Sequence, residues 1–122
     1  MAKTVELAPK PASVRTARVF TAGALGDDGV EASVIELAVL LVSELVTNAA
    51  VHAGSKIRVT VYVDSHWVRV EVEDQGRGQP VVRPLTPKAL HGRGLAVVDQ
   101  LSTDWGTDRH DGRKVVWFEI AR

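Results

Sequence analysis

Three groups of residues break the pattern around them, and each has chemistry to offer. Glu44, Asn48 and His52 recur at i, i+4 and i+8 inside a run that is otherwise almost entirely apolar. On a helix they form one polar stripe. A carboxylate in a buried helix is costly unless something satisfies it, so the stripe is either a solvated edge or the lining of a cleft. In a cleft, Glu44 is an acceptor for water or a hydroxyl. Asn48 can offer its amide oxygen to a hard cation such as Mg²⁺, whose shell phosphate and water usually complete.

Asp74 is the second. Val68, Val70 and Val72 alternate with Arg69, Glu71 and Glu73, and Asp74 is in phase with the valines. The alternation therefore sends its side chain toward the core. It either caps the turn at Gln75-Gly76 or is a buried acceptor awaiting a donor-bearing ligand, such as the amino group of adenine. Gly76 and Gly78 would let backbone approach a flat ring closely. The third is His91-Gly92-Arg93-Gly94-Leu95 at a helix start. Glycines there expose backbone N–H groups at the positive end of the helix dipole, a ready anion site, and Arg93 adds a charge-assisted contact. Tight turns have the same composition.

The elements that must hold these groups follow from periodicity and punctuation. A short strand is expected at residues 3–8, then a helix from Ser13, read as its N-cap, to about Leu25. After the turn Gly26-Asp27-Asp28-Gly29, a long helix is expected from about Val30 to His52, with Gly54 ending it. Ile57-Val59-Val61-Val63 and Val68-Val70-Val72 show period-two alternation and read as an antiparallel hairpin. Residues 74–92 read as a loop. A helix of about ten residues begins near Gly94, and strands near 103–108 and 113–120 turn through Asp111-Gly112. This order predicts an α+β two-layer sandwich, with a mixed, mostly antiparallel sheet and helices on one face.

Composition narrows the chemistry. At roughly 150 residues per domain, 122 residues make one domain spanning 1–122. Lys+Arg and Asp+Glu both number 15, so the basic excess usual for nucleic-acid binders is missing. Without cysteine there is no thiol nucleophile, disulfide or Cys-ligated metal. No two of the four His are spaced i,i+4, which removes a zinc-hydrolase helix. Neither a Rossmann fingerprint nor a P-loop ending is present. The start lacks a signal-peptide core, and Glu36, Ser43, Glu44, Thr47 and Asn48 interrupt the longest apolar stretch. A cytoplasmic protein with no membrane span is expected.

The three groups, in this order, resemble the N, G1 and G2 boxes of the Bergerat-fold (GHKL) ATPases, the superfamily of gyrase, MutL and histidine kinases. The matching segments are Glu44-Leu45-Val46-Thr47-Asn48-Ala49-Ala50-Val51-His52-Ala53, Asp74-Gln75-Gly76-Arg77-Gly78 and His91-Gly92-Arg93-Gly94-Leu95. Pro11-Ala12-Ser13-Val14-Arg15-Thr16-Ala17-Arg18-Val19-Phe20 and Leu41-Val42-Ser43-Glu44-Leu45-Val46-Thr47-Asn48-Ala49 narrow the likeness to anti-sigma-factor serine kinases and their short Streptomyces-type relatives.

That resemblance implies ATP and Mg²⁺ as cofactors, with Asn48 on the metal and Glu44 as catalytic base or orienting group. It implies Asp74 on the adenine amino group, Gly76 and Gly78 beside the base, and Gly92, Arg93, Gly94 and Leu95 on the phosphates. Gln79 to His91 would be the lid, with Arg83, Lys88 or Arg93 supplying a cation to the γ-phosphate. The partners implied are a sigma factor and an anti-sigma antagonist whose serine takes the phosphate; a homodimer is also implied. A non-catalytic ATP-dependent binding module and a stand-alone ATP domain serving a separate histidine kinase partner are the alternatives.

Overall fold

The structure, a computed structural model, describes residues 2–52, 54–76 and 94–122. Strand β1 (Ala2–Leu7) leads into helices α1 (Ala12–Asp27) and α2 (Ala32–His52). The hairpin β2 (Ile57–Val63) and β3 (Trp67–Asp74) follows, then α3 (Gly94–Leu101) and the hairpin β4 (Asp104–His110) and β5 (Arg113–Ala121). The strands form one sheet in the order β1-β2-β3-β5-β4, and the helices cover one face, as expected of an α+β sandwich.

Every neighbouring pair is antiparallel, whereas a mixed sheet was expected. The connections explain this. Two helices, one out and one back, return the chain after β1 so that β2 runs against it. The single crossover through α3 does set β4 parallel to β3, but β5 inserts between them.

Alternation decides what is buried. Val59 and Val61 of β2, Val68, Val70 and Val72 of β3, and Val116, Phe118 and Ile120 of β5 all face the helices and are buried. Against them pack Ala17, Ala24 and Leu25 of α1 and Ala38, Leu41, Val42, Leu45, Val46 and Ala49 of α2. Over Ala32–Val51 the mean hydropathy of 1.9 is high enough for a bilayer span by length and composition. In this fold, that apolarity is what a helix covered by both sheet and neighbouring helix requires.

Local chemistry fixes the ends. Ser13 lies inside the first turn of α1 rather than at its N-cap, which is Pro11. Its hydroxyl donates to the Ala8 carbonyl at 2.6 Å and ties the helix start to the end of β1. Gly54, at φ +65°, takes the left-handed conformation after α2. Asp111 and Gly112, at φ 51° and 79°, both have the positive φ of a type I′ hairpin turn.

Candidate functional site

Helix α2 packs on both β3 and α3, so the stripe, the Asp74 strand end and the α3 start belong to neighbouring elements. Glu44 and Asn48 are half-buried. The other polar groups of that segment are satisfied within the helix: Ser43 Oγ donates to the Val39 carbonyl at 2.8 Å and Thr47 Oγ1 to the Ser43 carbonyl at 2.7 Å. Among the described residues, Glu44 and Asn48 make neither a hydrogen bond nor an ion pair. Hydroxyls can fold back on their own helix in this way. Glu44, a carboxylate with no hydrogen to donate, and Asn48 make no such bond to the helix.

Asp74 is 3% exposed and faces the helix side of the sheet, as the alternation predicts. Its Oδ1 accepts the Gly76 N–H at 2.7 Å, so the turn-capping contact exists. That contact occupies one oxygen only. Oδ2 lies 3.7 Å from Lys114 Nζ. The cap and the acceptor, read as alternatives from the sequence, do not exclude each other, because the cap leaves Oδ2 without a hydrogen bond among the described residues. Ser55 Oγ, just beyond the end of α2, accepts the Gln75 N–H at 2.8 Å. This bond fastens the segment after α2 to the segment after β3.

Gly76 is buried beside Asp74, and α3 begins at Gly94 as expected. The Leu95 side chain is 5% exposed and belongs to the core. Gly78, Gly92 and Arg93, together with Gln79 to His91 and its Arg83 and Lys88, lie outside the described residues. A small pocket of about 80 Å³ opens at the sheet end by Asp74 and Gln75, lined by Glu6, Arg58, Glu73 and Arg113. Its volume is well short of the several hundred Å³ typical of ligand pockets, and those four charges belong to the open face.

Two side chains escaped the sequence reading. Lys114 is in phase with Val116, Phe118 and Ile120, and extending that alternation back by one step would have found it. Trp105 is cross-strand to Phe118 and packs partly against the core. Its indole Nε1 donates to Asp99 at 2.7 Å and pins α3 to β4. Only the three-dimensional pairing shows this.

The model of the histidine kinase-like ATPase domain matches residues 7–120. The chain belongs to that family. Its fold is similar to that of a solved chain with the RsbU and RsbW domains of Rv1364c from Mycobacterium tuberculosis. The TM-score is 0.75 at 23% identity, over 100% of this chain and 33% of that one. The family domain therefore spans about a third of that solved chain. No curated protein sequence matches it.

Proposed function

We propose that this histidine kinase-like domain binds ATP with Mg²⁺ between α2, the end of β3 and the start of α3. We further propose that it transfers the γ-phosphate to a serine of an anti-sigma antagonist while sequestering a sigma factor. The observation that carries the reading is the pair Glu44 and Asn48, one turn apart, half-buried and without partners among the described residues, beside Ser43 and Thr47 whose hydroxyls are satisfied within the helix. Family membership and the motif likeness to anti-sigma-factor serine kinases support it. One domain, 1–122, in the cytoplasm is sufficient for this role, and the likeness adds a homodimer.

The residues fit the metal in kind. Among the described residues, no group of three or more His, Cys, Asp or Glu could hold an ion. A single Asn48 oxygen therefore suits Mg²⁺ only in company with phosphate and water, which is how Mg²⁺ is ordinarily held. When bound, the ion offsets charge on the phosphates.

The chain's own residues do the rest. Asp74 Oδ2 accepts from the adenine amino group, and Gly76 and Gly78 let backbone approach the ring. The N–H groups of the turn through Gly92, Arg93, Gly94 and Leu95 hold the phosphates at the positive end of α3. Arg83, Lys88 and Arg93 are the candidates for a cation on the γ-phosphate. Glu44 orients the acceptor serine and takes its proton. The serine oxygen bonds to the γ-phosphorus, the bond from that phosphorus to the β–γ bridging oxygen breaks, and ADP leaves.

Transfer of labelled phosphate from Mg-ATP to a co-expressed antagonist tests the reading. Transfer that disappears in Glu44→Ala, with ATP binding retained, is the expected result. Nucleotide binding with no transfer to any partner would instead make the domain a non-catalytic ATP-dependent binding module. Transfer to a histidine of another chain would make it the ATP domain of a split histidine kinase.

A further inference from the structure

Lys114 stands directly across from Asp74 in the β3–β5 ladder. Both side chains are withdrawn from solvent, Asp74 at 3% exposure and Lys114 at 13%. Burying a lysine on a core face costs desolvation and the freedom of a long side chain. Neutralising Asp74 accounts for part of that, but the geometry leaves something over. At 3.7 Å the pair is close enough for the charges to compensate and too long for a hydrogen bond. The contact with Asp74 therefore uses up none of the three ammonium donors. With Oδ1 taken by Gly76 N–H, the sheet end presents, among the described residues, an open acceptor and a donor side by side.

Resting on the nucleotide reading above, we propose that Lys114 is a second base-reading residue: its ammonium donates to N1 of adenine while Asp74 accepts from the 6-amino group. The edge of adenine carries this pair in the complementary sense, a donor on C6 next to an acceptor at N1. A 6-oxo purine reverses both groups. In the same pose its O6 meets the Asp74 oxygen and its N1–H meets the ammonium. The Asp74–Lys114 pair thus reads two adjacent positions of one edge, and together they select a 6-amino purine.

Affinities of ATP, ITP and 1-deaza-ATP (a C–H in place of N1) for the wild type, Lys114→Met and Lys114→Arg test this. The wild type should favour ATP over 1-deaza-ATP by about tenfold or more, the usual worth of a hydrogen bond to a charged group. Lys114→Met should lose a similar factor for ATP but bind 1-deaza-ATP as well as the wild type does. Its preference for ATP over ITP should narrow, and Lys114→Arg should recover most of the loss.

Equal weakening of ATP and 1-deaza-ATP by Lys114→Met overturns the proposal, because a structural role does not distinguish them. Should Lys114→Met fail to fold, the wild type alone decides: equal affinity for the two nucleotides overturns it. A wild type that binds no ATP at all overturns the nucleotide reading itself. A wild type that binds ATP and loses it in Asp74→Asn, with both Lys114 variants unchanged, overturns this inference alone.

Discussion

The two faces of the sheet treat charge in opposite ways. On the open face, acids and bases interleave across the strands. Glu6 Oε1 accepts from Arg58 Nη2 at 3.0 Å, Arg58 Nη1 lies 3.3 Å from Glu73, and Arg113 Nη1 lies 3.6 Å from the other Glu73 oxygen. Further along, Arg69 donates to Glu71 at 2.8 Å and to Glu119 at 3.1 Å, and lies 4.0 Å above the Trp117 ring. Burial works against the charge on Arg69, yet its hydrogen bonds to Glu71 and Glu119 outweigh that and raise its pKa. Burial, aided by the Glu71 charge, likewise raises the pKa of the Tyr62 phenol. On the covered face, Lys3 of β1 reaches outward to Asp27 of α1 at 2.9 Å, with both groups partly exposed, whereas Asp74 and Lys114 pair within the sheet at 3.7 Å, too long for a hydrogen bond. Charges that satisfy one another mark a solvated surface. The buried pair is where the proposed contacts to the base would fall.

Neighbouring residues of β5 test the contrast most strongly. Phe118 is fully buried under the helices, whereas Trp117 points to the open face. Phe118→Ala should cost about 3–5 kcal/mol in chemical denaturation, and Trp117→Ala clearly less. Equal costs would mean that the open face is a second core. Next in size is Asp74→Asn. With Mg-ATP at about a hundred times Kd, the wild type should gain roughly 2.7 kcal/mol, seen as a higher melting temperature, and the variant should gain nothing. The apo variant should itself lose about 1–3 kcal/mol, since Lys114 is left buried without its counter-charge. A nucleotide-induced shift that survives in Asp74→Asn would remove Asp74 from the site.

Much of this contrast was legible in the sequence because period-two alternation is a geometric fact about strands. It assigned Val68, Val70 and Val72 to one face, Arg69, Glu71 and Glu73 to the other, and placed Asp74 correctly. The helical spacing of Glu44 and Asn48 worked for the same reason. What escaped depends on which strands become neighbours. Lys114 has meaning only because β5 lies beside β3, a non-sequential pairing that local pattern does not encode. The expected mixed sheet missed on the same point, since β5 separates the two strands that run in parallel. Ser13 has the composition of a cap, but its partner, the Ala8 carbonyl, is set by how α1 folds back on β1.

The open face has one steric constraint that its polar character hides. Trp117 lies across Gly106, its neighbour in the β4–β5 ladder. A Cβ at position 106 would sit 2.7 Å from Trp117 Cζ2 and 2.9 Å from its Nε1. Gly106→Ala should therefore push the indole out from under Arg69 and cost about 1 kcal/mol, the lower end of overpacking penalties. A red-shifted Trp emission together with a lower denaturation midpoint is the expected signature. An unchanged spectrum would show that the ring yields without leaving the guanidinium.

The smallest effect expected is the acid response of the two exposed carboxylates whose pKa values are lowered. The hydrogen bond from Arg58, aided by the charge of Lys56, lowers that of Glu6. The hydrogen bond from Arg122 lowers that of Glu31. In the unfolded chain both should titrate near the ordinary value of 4.5. A group that binds its proton more weakly when folded favours the folded state wherever it is ionised. Its contribution is complete above that ordinary value and disappears as pH falls through the lowered one. Glu6→Gln with Glu31→Gln should thus slightly lower the melting temperature at neutral pH and flatten its decline in acid. Salt should erase most of the difference, because exposed pairs are screened. A double variant that matches the wild type at neutral pH and declines just as steeply in acid would show that these two carboxylates do not contribute.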